Sequence, residues 1–271
     1  MAPALVGFWR ANGSLDHRVW LVLLLLATCS AVAEVANHFA DYEQDKAQKE
    51  KRLGPILLAG GSFAGGELFT SVKAISAFLG VAGTIYFVTA ITLTRNPGYH
   101  LVAVLAFLMA AFYSMKPIRL KERGFWGTFS IAIGRGLISF HLGWLVVNEA
   151  TAYSILAGLI ISLLVFGSAM MAHLQDYEED KAMGIMTFPV RIGANRSMWI
   201  AAITFLASLV LATVFSSVAN REGFWCPWLL ATLYTDFLIL AYGFMNSGKV
   251  SIGGLQTVGL VTVITIPFMF L

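Results

Sequence analysis

Long uninterrupted apolar runs constrain this chain more than any other feature. Eight are read, at about 18–36, 70–93, 99–115, 128–147, 151–174, 197–219, 226–246 and 252–271. The hydrocarbon core of a bilayer asks roughly 17–25 apolar residues of a helix, and each run meets that length. The runs do not alternate polar with apolar residues and far exceed a barrel strand, which argues against a β-barrel. Composition agrees, since 58% of residues are hydrophobic and 12% charged, where soluble domains carry about a quarter charged. Two cysteines in 271 residues exclude a disulfide scaffold. A net charge of +3, with its basic residues scattered, argues against nucleic acid as a partner. The expectation is an all-α, multi-span transmembrane helical bundle, with residues 1–271 forming a single membrane domain. The first run is not read as a cleavable signal, because an acidic segment follows it and no basic leader precedes it.

Lys and Arg residues between the runs set the expected orientation. Twelve fall on one side: Lys46, Lys49, Lys51, Arg52, Lys116, Arg119, Lys121, Arg123, Lys181, Arg191, Arg196 and Lys249. Four fall on the other: Arg10, Arg18, Arg95 and Arg221. The first side is expected to be cytoplasmic, with both termini outside. Two long polar connections, 37–69 and 175–196, lie on that side and concentrate the acidic residues. Long polar loops of this kind usually carry function. A short interfacial helix is expected near the Gly-rich stretch Ala59 to Gly66.

An internal repeat carries those acids. Asp41-Tyr-Glu-Gln-Asp45-Lys-Ala47 returns as Asp176-Tyr-Glu-Glu-Asp180-Lys-Ala182, identical at six of seven positions and offset by 176 − 41 = 135 residues. Each copy follows an apolar run, and four runs separate into each half, about 18–147 and 151–271. An even number of spans keeps the copies in one orientation. That pattern predicts two parallel four-helix pseudo-repeats around a central cavity, with an axis along the membrane normal. Glu34, Asn37, Asp41 and Asp45 are spaced to share one helix face, as are His173, Asp176 and Asp180. Carboxylates gathered one turn apart repel each other and ask for a counter-charge. Mg²⁺ is a hard cation that binds through one or two carboxylates, water and substrate phosphates. A single DxxxD reads more readily as a solvated helix end, but two copies, each trailed by Lys and Arg, reverse that preference and favour a metal and diphosphate site.

These motifs resemble those of the UbiA superfamily of intramembrane prenyltransferases. Asn37-x-x-x-Asp41-x-x-x-Asp45 and Asp176-x-x-x-Asp180 are similar to its two aspartate-rich motifs. Tyr113-Ser-Met-Lys-Pro-Ile-Arg-Leu-Lys-Glu-Arg-Gly124 resembles its loop between the fourth and fifth helices, and Asp176 to Gly193 its signature after the second motif. Arg52-Leu-Gly-Pro55 resembles the branch that prenylates dihydroxynaphthoate. The resemblance implies Mg²⁺ held by Asn37, Asp41, Asp45, Asp176 and Asp180. It further implies that Arg52, Arg119, Lys121 and Lys181 neutralise departing pyrophosphate, with Tyr113 hydrogen-bonding to it. The implied reaction moves a prenyl group from a prenyl diphosphate donor to a lipophilic, aromatic acceptor inside the membrane lipid, with Asp41, Asp45, Asp176 and Asp180 as its catalytic acids.

Two departures from the family pattern stand out. His38 occupies a position where the family usually has Asp, and the helix that precedes the first-motif helix in most members is not expected from residues 1–17. Arg135, Asp236, Glu34 and His141 fall within spans, where ionisable groups face a cavity or pair with one another, as Arg135 and Asp236 could. His141 and His173 read first as packing residues; neither is assigned to catalysis, although His173 lies on the Asp176 face. Two alternatives stay open. One is a membrane terpene cyclase of the same fold, which closes the cation on itself. The other is a cation-coupled transporter, disfavoured because the acids lie at helix ends instead of at midplane.

Overall fold

The computed structural model describes residues 2–14, 16–49 and 71–218, and all regular structure among them is helical. Residues 51–70, with Arg52 and the expected interfacial helix, lie outside the described residues, as do the last two expected spans and Asp236. Four described helices contain stretches long and apolar enough to cross a membrane: Arg18–Ala40, Val72–Leu93, Ala152–Leu174 and Ala194–Phe215. The chain is an integral multi-pass membrane protein. Its helices present apolar residues outward as well as inward. Ile203, Leu206, Val210 and Val214 follow one exposed stripe, as Val81, Ile85 and Val88 do on another helix. Such stripes are what lipid demands of a surface.

The chain divides into two compact units, Pro3–Leu120 with His141–Ala150, and Lys121–Phe140 with the chain from Thr151. The first unit contains α1 (Ala2–Asn12), α2 (Arg18–Lys49), α3 (Val72–Leu93) and α4 (Pro97–Phe112). Here α2 packs on α3 and α4 through Val32, Ala82 and Ala111, with Phe78 and Phe107 filling around them. Lipid offers little hydrophobic drive between helices, so small residues that admit close contact decide such packing. Polar side chains spend their hydrogen bonds on helix backbones: Tyr86 Oη donates to Ala103 O at 3.0 Å.

Residues 1–17, from which no further spanning helix is expected, carry the short helix α1. Its 11 residues rise about 16 Å, roughly half a bilayer core. Phe8 and Ala4 are fully buried, and a Cβ at Gly143 would collide with the Ala4 carbonyl, so glycine there lets α1 dock. Asn148 Nδ2 donates to Ala11 O at 2.9 Å and closes the far end. Beyond α1, Arg18 clamps Asp16 at 2.6 Å and holds its carboxyl down to about 2.

The second unit is built on α7 (Ala152–Gln175), the most enclosed of the four spans, with 56% of its apolar window buried against 17% for α10 (Ala194–Val218). Thr151 and Ser154 form a capping box at its start. Its core joins Ala132, Phe166, Met170, Met171, Leu174 and Ala201. The expected span 128–147 is helical from Phe125 to Trp144 but not uniformly α: α5 (Phe125–Ile133) passes through a π segment, Gly134–Ile138, into α6 (Ser139–Trp144). A side chain supplies the reason. Ser162 Oγ on α7 accepts from Leu137 N at 2.8 Å, and Gly136 has no Cβ to hold Ser162 away. Arg135 is exposed in this segment. His141 is buried on α6.

Candidate functional site

The two copies of the acidic repeat have different backbones. The first belongs to a single 32-residue helix, α2, that runs through Asn37, Asp41 and Asp45 to Lys49 without a break. The polar connection expected from residue 37 therefore begins as helix. Asn37 is held from a distance of 77 residues: the buried Ser114 hydroxyl donates to its Oδ1 at 2.8 Å. The side chains of Asp41 and Asp45 lie outside the described residues.

The second copy is broken. Helix α7 ends at Gln175, and Asp176 takes a non-helical conformation, φ −92° and ψ 5°. A short helix, α8 (Tyr177–Ala182), then begins, with Asp180 N donating to Asp176 O at 2.7 Å. The expectation that His173, Asp176 and Asp180 share one helix face fails here, because the break intervenes before the last turn. The chain reverses at Gly184, whose φ of +70° is the left-handed conformation that glycine adopts cheaply. Ile185 N donates to Asp180 O at 2.8 Å and Gly184 N to Lys181 O at 3.3 Å, the paired bonds of a Schellman end.

That reversal brings Thr187 back onto the acids. Its hydroxyl donates to Asp180 Oδ2 at 3.1 Å, while its backbone bridges Gly124, a residue 63 positions earlier (187 − 124). The stretch ending at Gly124 and the stretch beginning at Asp176 therefore meet at one point. Gly124 is needed there: its φ is +57°, and an added Cβ would lie 2.6 Å from Arg191 Nε. Arg191 Nε donates in turn to Met186 O at 3.0 Å, tying α9 (Phe188–Ile192) to the turn.

Asp180 is half-buried, and burial pushes its carboxyl up to about 6. The Thr187 hydrogen bond opposes that rise, the neighbouring Asp176 charge adds to it, and Lys121 lowers it. Lys121 and Arg119 are partly buried; Arg119 has the left-handed φ of 42°, with its N–H donating to Met115 O at 2.9 Å. Tyr113 is partly buried, and Lys181 is exposed, with its ammonium 5.8 Å from the Tyr177 ring centroid. Among the described residues no three His, Cys, Asp or Glu side chains converge closely enough to hold a metal. The hard-oxygen donors that fit Mg²⁺ in the second copy are Asp176 and Asp180, and the amide oxygen of Asn37 is the described donor of the first.

Three residues not singled out from the sequence take part: Ser114, Thr187 and Thr128. Thr128 is fully buried on α5, and its Oγ1 lies 3.3 Å from His173 Nδ1 on α7. The sequence does hold a signal for His173. The 135-residue offset carries His38 onto His173, so the repeat is His-x-x-Asp-Tyr-Glu-x-Asp-Lys-Ala in both copies.

The UbiA prenyltransferase family matches residues 1–251 of the chain. The chain belongs to that family. As a UbiA-family protein it is a prenyltransferase, and the fold agrees. It superimposes on a UbiA homologue from Archaeoglobus fulgidus, solved bound to GPP and Mg²⁺, with a TM-score of 0.77 at 21% identity, covering 99% of this chain and 93% of that one. An apo UbiA homologue from Aeropyrum pernix K1 gives a TM-score of 0.71 at 16% identity, covering 99% and 94%. In sequence, the chain is 28% identical over 233 residues to the digeranylgeranylglyceryl phosphate synthase of Methanothermobacter thermautotrophicus, 85% of this chain and 72% of that protein. It is 23% identical over 182 residues to the chloroplastic chlorophyll synthase of Arabidopsis thaliana, 66% of this chain and 45% of that protein.

Proposed function

We propose that this UbiA-family enzyme transfers an isoprenyl group from a prenyl diphosphate to a lipophilic acceptor within the membrane and releases pyrophosphate. Asp41, Asp45, Asp176 and Asp180, with Asn37, hold Mg²⁺ on the diphosphate. The metal, when bound, stabilises negative charge on the departing oxygen. Arg52, Arg119, Lys121 and Lys181 bind the same phosphates, and Tyr113 hydrogen-bonds to them. Preorganised donors aimed at developing charge lower the barrier most. Both acidic motifs lie on the Lys- and Arg-rich side of the chain, which we read as cytoplasmic. Apolar helices around the prenyl chain exclude water, which would otherwise capture the allylic cation.

The observation that carries this reading is Asp180: a half-buried carboxyl, fixed by Thr187 and raised by burial beside Asp176, with Lys121 facing it. Such a group gains most from a cation. The named relatives make digeranylgeranylglyceryl phosphate and chlorophyll, which favours prenylation at an acceptor oxygen over dihydroxynaphthoate as the acceptor. Family membership favours transfer to an acceptor over cyclisation or cation-coupled transport. The test is incubation of the purified protein with geranyl or geranylgeranyl diphosphate and Mg²⁺, with and without candidate acceptors. Acceptor-dependent pyrophosphate release supports transfer; a terpene product formed without acceptor identifies a cyclase instead.

A further inference from the structure

We infer that His173 is the proton acceptor for the acceptor substrate's hydroxyl, which makes the nucleophile an alcohol or phenol instead of a preformed carboxylate. The inference rests on the transferase reading above. Joining a hydroxyl oxygen to a prenyl carbon leaves a proton to be removed. The oxygen lone pair forms the new bond to C1 of the prenyl group. The C1–O bond to the diphosphate breaks, and its electron pair leaves on pyrophosphate. The hydroxyl proton needs a base. The neighbouring aspartates serve poorly, because a carboxylate committed to a divalent cation has its lone pairs engaged.

His173 has the chemistry and the placement. It stands three residues before Asp176 in sequence, on the last turn of α7 and ahead of the break. Its ring is fixed by Thr128, which is fully buried on the neighbouring helix, with 3.3 Å between Oγ1 and Nδ1. With Nδ1–H donating to that hydroxyl, Nε2 carries the lone pair. A base whose second ring nitrogen is held by a hydrogen bond presents a set tautomer and orientation. The repeat gives a second, independent reason. Histidine stands at this position in both copies, at 38 and 173, while the intervening pairs Phe39-Ala40 and Leu174-Gln175 share no residue. A residue kept purely for packing has no need to match across a repeat whose neighbouring positions have diverged.

The test compares His173→Gln with the unaltered protein in nanodiscs, using geranyl diphosphate and two acceptors. One is a prenylglycerol, with an aliphatic hydroxyl; the other is a lipophilic phenol acidic enough to be ionised at the assay pH. Positioned general bases contribute about 10²–10⁴-fold, so kcat with the alcohol should fall by at least about 10²-fold. With the ionised phenol kcat should change less than about threefold, because no proton remains to be taken. Geranyl diphosphate binding, followed by calorimetry with Mg²⁺, should be unchanged. Equal losses with both acceptors, or a parallel loss of diphosphate binding, overturn the inference and leave His173 a structural or metal-site residue. If His38→Gln shows the acceptor-selective loss and His173→Gln does not, the assignment to His173 is overturned in favour of the first copy. Unaltered protein that binds geranyl diphosphate yet prenylates neither acceptor overturns the transferase reading itself, and this inference with it.

Discussion

The same ten-residue pattern, His-x-x-Asp-Tyr-Glu-x-Asp-Lys-Ala, is unbroken helix in one half of the molecule and a helix break in the other. Local propensity cannot account for this, since the two strings are nearly identical. The difference arises in the residues downstream of each copy. In the frame of the repeat, Gly184 corresponds to Lys49 (184 − 135) and Thr187 to Arg52 (187 − 135). Lys49 is still helical, whereas Gly184 turns the chain back and lets Thr187 reach Asp180 and Gly124. The first copy is braced from outside, by Ser114 on Asn37, and the second by its own continuation. One string of acids thus rides on a long continuous helix, the other on a helix end, a short helix and a tight turn.

The strongest challenge to equal roles for the copies is mutation of the acids. Asp41→Ala and Asp180→Ala should each cut pyrophosphate release by about 10²–10³-fold or more, with membrane insertion unchanged by protease protection. If one variant keeps near-normal turnover, the copies do not share the metal. A second comparison uses pH. In the metal-free protein Asp180 keeps its proton up to about 6, and a ligand must lose its proton to bind metal. Mg²⁺ affinity should therefore fall as pH is lowered through that value, by about tenfold per unit, and Asp180→Asn should remove the dependence along with the tight site. Calorimetry across pH 5 to 8 measures it.

Thr187→Val sharpens the contrast further, since the position it matches in the first copy is Arg52, which carries no hydroxyl. It should weaken Mg²⁺ binding by about tenfold, the worth of a hydrogen bond to a charged group, and Thr187→Ser should restore it. Ser114→Ala, which removes the hydroxyl bonded to Asn37 Oδ1, should cost about 1 kcal/mol or less of binding. The smallest effect on the reaction is expected from Gly184→Ala, which places a Cβ in the left-handed region at a cost of about 1–2 kcal/mol of local stability, read as earlier proteolytic cleavage in the 183–187 turn. A fully stable, active Gly184→Ala protein would show that the turn does not depend on glycine.

Much of the site is legible in the sequence, because repetition at a fixed offset is visible without coordinates. Asp176 and Asp180 stand out that way, and Lys121 and the loop ending at Gly124 through family resemblance. Ser114, Thr128 and Thr187 do not, since a hydroxyl's partner depends on which distant helix passes it. His173 is visible in the repeat, yet a lone histidine at the end of an apolar run reads first as packing until Thr128 is seen to fix its ring. Helix α1 escapes a sequence reading because 11 residues cannot span a bilayer, and nothing local announces that Gly143 will leave room for them.

Taken alone, the order of residues determined the environment, the helical class and the acids we propose for the chemistry. Apolar length and the identity of two strings are properties of neighbours along a chain. Tertiary structure decided where the second motif breaks, which hydroxyls brace the acids and where the helix from Phe125 to Trp144 loosens into a π segment. Those outcomes turn on side chains meeting residues that sequence spacing does not pair with them: Thr187 on Asp180 and Gly124, Thr128 on His173, Ser162 on Leu137. In a bilayer an unsatisfied polar group is costly, so its partner is chosen by proximity in the packed helices, not by distance in sequence.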